Sequence, residues 1–218
     1  MNIDAKTYRL PDNKIFKDTY EKTLIILHFT AGSTVEGAFN GWMQQSIQIG
    51  TPYIIDTDGT IYQIFDDKFW AYNLGCTGPK AQNHKHDKRS VAIETVNMGP
   101  LKLIGDMLCS WPNNYKQKFC MLSETDRYVK ATYRGFDYFA AFPEVQKVAI
   151  VELVKKISND FNIPIVLPPA EKLTVFDMDF YDTWKGVASH QNMRSDKTDA
   201  GPAFPWELLE NKEITNIT

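Results

Sequence analysis

Five residues in this chain have types and positions suited to one piece of chemistry. In "SHQNMRSDKTDAGPAFPW" (Ser189–Trp206), His190 and Asp199 lie nine apart, with Lys197 two residues before the aspartate. That spacing is too wide for one helix face but suits a loop folding back on itself. Far upstream, His28 ends the apolar run "TLIILHF" (Thr23–Phe29), where the sequence turns at once into the small, polar "TAGS". Glu94 stands in "VAIET", where alternation places Ala92, Glu94 and Val96 on one face of a strand. Two histidines and one carboxylate form a known catalytic zinc set, leaving one metal position for water. A carboxylate among apolar neighbours has the raised pKa that suits a general base. A lysine beside the metal suits charge developing in the reaction.

Each residue also has a plainer reading. A lone histidine at a strand end is more often a satisfied structural residue than a ligand. Glu94 fits an edge strand with its face in water, and "RSDKTD" by itself reads as a solvated charged loop. His84 and His86 in "NHKHDK" read better as a polar loop than as a metal pair. In "TPYIIDTDGTIYQIF", Asp56 and Asp58 resemble a calcium loop, but Ile61 sits where that loop requires glycine.

The elements that must position these residues follow from periodicity. Thr23–Phe29 is a strand covered on both faces. A helix capped by Ser33 or Thr34 follows, with Glu36 in its first turn. Two β-rich runs joined by Asp58-Gly59 form a hairpin. Arg89–Asn97 is a further strand. The clearest helix carries Pro143 in its first turn, with Val145, Ala149, Leu153, Ile157 and Phe161 every fourth residue, and ends before Pro164. Pro168-Pro169 opens a loop, "PWELLENK" a short helix, and 211–218 reads as a flexible tail. Residues 101–142 are aromatic-rich and irregular, and read as an insertion. The pattern predicts an α/β fold in one domain over 1–218, its central sheet mixed, mainly antiparallel and flanked by helices.

Composition sets limits. With 43% hydrophobic residues and 13% aromatics, the 218-residue chain can bury a substantial core. A net charge of −3 argues against a nucleic-acid partner. The three cysteines are too few for a disulfide framework; a Cys109–Cys120 bridge is open, but free thiols fit better. No signal peptide is visible, and no apolar run is long enough to insert in a membrane.

"TLIILHFTAGS", "PYIIDTDGTIYQIF", "RSVAIETVN" and "SHQNMRSDKTDAGPAFPW" resemble, in order, the motifs of zinc-dependent N-acetylmuramoyl-L-alanine amidases, whose fold is shared with peptidoglycan-recognition proteins. The resemblance implies His28, His190 and Asp199 as ligands of Zn2+, Glu94 as general base and Lys197 as the oxyanion-steadying lysine. It implies hydrolysis of the amide between N-acetylmuramic acid and L-alanine, with peptidoglycan or a muropeptide as substrate and a monomeric enzyme. Trp70, Tyr72, Asn97 and Arg194 are expected near the substrate groove. Thr51-Pro52, Asn73 and Ala200 depart from the common family pattern without touching a ligand. A phage-type lysin acting on a thin, Gram-negative type of wall is expected. The alternatives are a cytoplasmic muropeptide-recycling amidase and a non-catalytic binding module.

Overall fold

The computed structural model describes residues 1–210; the predicted tail, 211–218, lies outside the described residues. Six strands form the central sheet: β1 (Ile3–Asp4), β2 (Leu24–Phe29), β3 (Tyr53–Ile55), β4 (Ile61–Gln63), β5 (Ser90–Thr95) and β11 (Gly186–Ser189). Their order is β1-β4-β3-β5-β2-β11. The fold is mixed α/β, as expected, but the expected antiparallel majority in this sheet is not found. Only β3 and β4 run antiparallel; the other four pairings are parallel. The reason is connection length. A tight turn at Asp56–Thr60 joins β3 to β4, whereas β2, β5 and β11 are reached by long crossovers, which set strands parallel.

Both faces of the sheet are buried, so β2 is an unbroken apolar run apart from His28. One face carries Ile25, Leu27, Val91, Ile93 and Val187 against the helix Glu144–Phe161, which supplies Ile150, Leu153, Val154 and Ile157. Full burial of each such side chain contributes about 1.5–3 kcal/mol. The helix begins at Glu144, with Pro143 as its cap and not in its first turn as expected, and Asn162 closes it in the left-handed conformation. Its expected stripe is corrected at one end: Val145 is exposed and Gln146 is buried. A period of 3.6 residues drifts off a strict spacing of four, and the Gln146 amide donates to the carbonyls of Ile55, Asp56 and Val96. The other face carries Leu24, Ile26, Ala92 and Ala188, packed by Leu74, Tyr181 and Met193. The helix Val35–Gln44 starts at Thr34, whose hydroxyl accepts from the Gly37 N–H at 3.1 Å.

The segment expected to be irregular is a second, five-stranded antiparallel sheet. It comprises β6 (Pro100–Ile104), β7 (Met107–Ser110), β8 (Gln117–Met121), β9 (Tyr128–Tyr133) and β10 (Phe136–Ala140), in the order β8-β7-β6-β10-β9. Its strands hide their alternation because much of the sheet is exposed, and its turns rest on Gly105 and on Arg134-Gly135 in the left-handed region. Asn97 joins the two sheets: its amide donates to the carbonyls of Ala140 and Ala141 and its oxygen accepts from the Gly99 N–H. All three cysteines are free thiols. No helix among the described residues is long and apolar enough to cross a membrane.

Candidate active site

The carboxyl ends of β2, β5 and β11 meet at one edge of the sheet, where α/β folds usually build their sites. His28 and Glu94 are register partners on adjacent parallel strands, so their side chains leave the same face. His190 follows β11 directly, and the chain then turns through the short helix His190–Met193 before coming back at Asp199. That return is held by two contacts with Gln191: its N–H donates to the Asp199 carbonyl at 2.7 Å, and its side-chain oxygen accepts from the Gly201 N–H at 3.1 Å. Gly201 has φ +79, and a Cβ there would stand 3.0 Å from the Thr198 carbonyl, so the turn after Asp199 requires glycine. The Asp199–Ala200 peptide is cis.

Three donor atoms converge here. His28 Nδ1 and His190 Nδ1 lie 3.1 Å apart, and each is 3.0 Å from Asp199 Oδ2. All three residues are buried. His190 Nε2 is 2.8 Å from the Leu74 carbonyl. A carbonyl only accepts, so Nε2 carries a proton, which leaves Nδ1 as the nitrogen able to present a lone pair to a cation held in the cluster. The Leu74 carbonyl is itself fixed, because Asp87, buried beneath the loop, accepts from the N–H groups of Asn73 and Leu74 at 2.9 Å each. Burial alone would raise the Asp199 carboxyl; His190 and His28 outweigh it and hold the group well below the usual carboxylate range. Lone pairs and a carboxylate meeting at 3 Å call for a shared positive charge. The donor set fits zinc: tetrahedral bonds of about 2.0–2.1 Å set ligands about 3.3 Å apart, close to the spacing seen.

Glu94 lines the same groove. Burial pushes its carboxyl up to about 7, against the pull of His28, while Asp199 raises it further and Lys197 lowers it. The groove, about 810 Å³ and open to solvent, also holds Lys197. Among the described residues the Lys197 ammonium has no hydrogen-bond or ion-pair partner, so its charge is available to a ligand. The five residues singled out by chemistry therefore stand around one opening.

The expected substrate contacts are dispersed. Trp70 is buried, stacked on Phe16 at 4.0 Å, and its indole donates to Asp18. Asn97 faces a different cavity, of about 550 Å³, between the two sheets. Tyr72 and Arg194 line a branch of about 470 Å³ that meets the main groove at Asn73, His190 and Lys197. Arg194 is forked onto Asp196, with Nε to Oδ1 at 2.8 Å and Nη2 to Oδ2 at 2.5 Å. His86 is buried and bonded to Lys80 and Arg89, away from the cluster.

Two contributors escape sequence reasoning. Arg134, at the β9–β10 turn, donates to the carbonyls of Gln191, Arg194 and Lys197, and so clamps the loop between His190 and Asp199. Trp111, just after β7, donates its indole N–H to the Ala31 carbonyl at 2.7 Å and lines the groove. Both sit in 101–142, which the sequence shows as aromatic-rich but without a periodicity that assigns its elements.

Solved structures share this fold at low sequence identity. The N-acetylmuramyl-L-alanine amidase AmiD from E. coli, solved with anhydro-N-acetylmuramic acid-L-Ala-D-gamma-Glu-L-Lys, aligns with TM-score 0.55 at 18% identity, over 95% of this chain and 64% of its own. AmpDh3 from Pseudomonas aeruginosa aligns with TM-score 0.52 at 16% identity, over 99% and 66%. The N-acetylmuramoyl-L-alanine amidase LysC from Clostridium intestinale URNW aligns with TM-score 0.50 at 14% identity, over 96% and 95%. No curated protein matches the sequence. The family profile described as N-acetylmuramoyl-L-alanine amidase matches residues 18–202. The chain belongs to the N-acetylmuramoyl-L-alanine amidase family.

Proposed function

We propose that this protein is a zinc-dependent hydrolase that cuts the amide between N-acetylmuramic acid and L-alanine in peptidoglycan, and that it acts as a phage-type lysin. The single observation that carries the reading is the convergence of His28, His190 and Asp199 beside Glu94 and Lys197 in one groove. His28, His190 and Asp199 would hold the zinc ion, which supplies Lewis acidity toward the scissile carbonyl and toward the attacking water. Glu94 takes the proton from that water as it attacks, and hands it to the alanine nitrogen as the amide breaks. Its burial favours this exchange, because a carboxyl near neutrality accepts and releases a proton at similar cost. Lys197 faces the oxygen on which negative charge develops. His190 is kept in the metal-binding tautomer by the Leu74 carbonyl.

An open groove suits a polymer better than a closed chamber would, which favours wall over free fragments. The recycling amidase is the second reading, because AmiD, which shares the fold, was solved with a soluble anhydro-muropeptide as substrate. Purified sacculi and soluble anhydro-muropeptides, offered side by side, separate the two. The lysin reading expects new L-alanine amino termini from sacculi at a rate at least comparable to that from fragments. Cleavage of fragments alone would replace it with recycling, and release from neither would leave a binding module.

A further inference from the structure

The groove has two unlike sides. One side carries the metal-binding and proton-transfer candidates: His28, Glu94, His190, Lys197 and Asp199. The other is built by the second sheet, which contributes Trp111, Tyr115 and Phe136. Trp111 is 52% exposed, although its indole N–H is satisfied by Ala31, three residues beyond His28. The ring is thus pinned at one edge while much of its surface stays free. Tyr115 and Phe136 extend the wall, their rings 6.0 Å apart. Lys102 lies 4.2 Å from the centre of the Tyr115 ring and braces it.

Among the described residues, the groove-lining lysine without a partner is not on this wall. Lys197 belongs to the opposite side, where it and Arg194 flank the branch lined by Tyr72 and Asn73. A stem peptide carries carboxylates and is drawn to cations. An amide-linked N-acetylated sugar is uncharged, and its pyranose ring presents a flat face of C–H groups that packs on an aromatic surface. Given the amidase reading, on which this step rests, we infer that Trp111, with Tyr115 and Phe136, is the platform for the N-acetylated sugar, and that the peptide leaves toward Lys197 and Arg194. Trp111 is then a specificity-determining residue supplied by a segment outside the metal-binding motifs.

The test needs no hydrolysis. The intact zinc-loaded protein is titrated with a peptide-free N-acetylglucosaminyl-N-acetylmuramic disaccharide whose lactyl carboxyl is capped as a methylamide, so that it is uncharged, and, separately, with an N-lactoyl peptide that has no sugar. Binding is read by calorimetry and by the Trp111 indole N–H resonance. The disaccharide should move that resonance, and Trp111→Ala should weaken disaccharide binding about tenfold, as expected for loss of an aromatic stacking partner. The lactoyl peptide should lose less than about twofold, since it makes no stacking contact. Tyr115→Ala provides a second variant and should weaken the disaccharide in the same sense. Equal losses for both ligands would mean that Trp111 only orders the Ala31 loop, and would overturn the inference, as would no loss at all. The outcomes stay separate from the amidase reading. Sugar binding through Trp111 without wall cleavage would sink that reading alone, and cleavage with a silent Trp111 would sink this inference alone.

Discussion

His28 and Glu94 are register partners on β2 and β5, so a metal-ligand candidate and a proton-carrying candidate stand side by side on one face of a parallel sheet. The pairing separates their roles. His28 points its Nδ1 at Asp199 and His190, whereas Glu94 makes no part of that triangle. Glu94→Ala should therefore keep zinc at the parent's stoichiometry while losing about 10²-fold or more of turnover, the range for a missing general base. Zinc content and amine release measured on the same preparation check both halves. Parental turnover would remove Glu94 from the mechanism.

His190 is a direct member of the triangle, so His190→Ala should lose the metal. Elemental analysis after gel filtration should find zinc far below the parent's occupancy. In the parent, chelation should abolish amine release and lower the melting temperature, because a ligand bound only by the folded state stabilises it by mass action. Full zinc occupancy in the variant would show the ligand set to be wrong.

The Glu94 carboxyl gives a pH signature in the metal-free protein. Its folded pKa, about 7, lies above the unfolded value of 4.5. A raised carboxyl contributes stability that is fully present below the unfolded pKa and lost as pH rises through the folded one. Between pH 4.5 and 7 the metal-free parent should thus lose stability relative to Glu94→Gln, reaching a gap of about 3 kcal/mol by pH 8. Denaturant melts of both chains across that range check it. Added zinc should shrink the gap, since a cation beside Glu94 favours its ionised form. Parallel pH profiles for the two metal-free chains would contradict the burial argument.

Arg134 ties the second sheet to the loop that carries the ligands. Arg134→Met keeps the aliphatic stem but leaves three carbonyls without their charged donor, each such bond contributing about 1.5–3 kcal/mol when made. Water reaches part of this half-buried site, so a net loss of about 2 kcal/mol is expected, or a fall of about 4–8 °C in melting temperature for a domain of this size. Zinc should also leave the variant faster, as followed with a chromogenic chelator. Unchanged release would show that the loop holds its shape without the clamp.

Much of the centre was legible in the chain. Local rules sufficed wherever a residue's partners lie nearby: Thr34 caps its helix, Asp58-Gly59 turns the hairpin, and Gly201 permits the turn after Asp199. His28 and Glu94 stood out because each interrupts an apolar run. The motif order around them then tied both to His190, Lys197 and Asp199 through resemblance, without geometry.

Other features depend on distance in space. The parallel majority of the central sheet follows from which strands become neighbours, and strand composition leaves that open. The second sheet was obscured because exposed strands carry mixed side chains and little apolar contrast. Trp70 and Asn97 were expected near the groove from their chain neighbours, yet Phe16 stacks on one and the carbonyls of Ala140 and Ala141 engage the other. Sequence alone determined which side chains could bind a metal, move a proton or face an oxyanion. Only tertiary structure decided how they are aimed: a main-chain carbonyl at Leu74 sets the His190 tautomer, and Arg134 holds the ligand loop. Carbonyl direction and long-range hydrogen bonds are properties of the folded backbone, and no residue type encodes them.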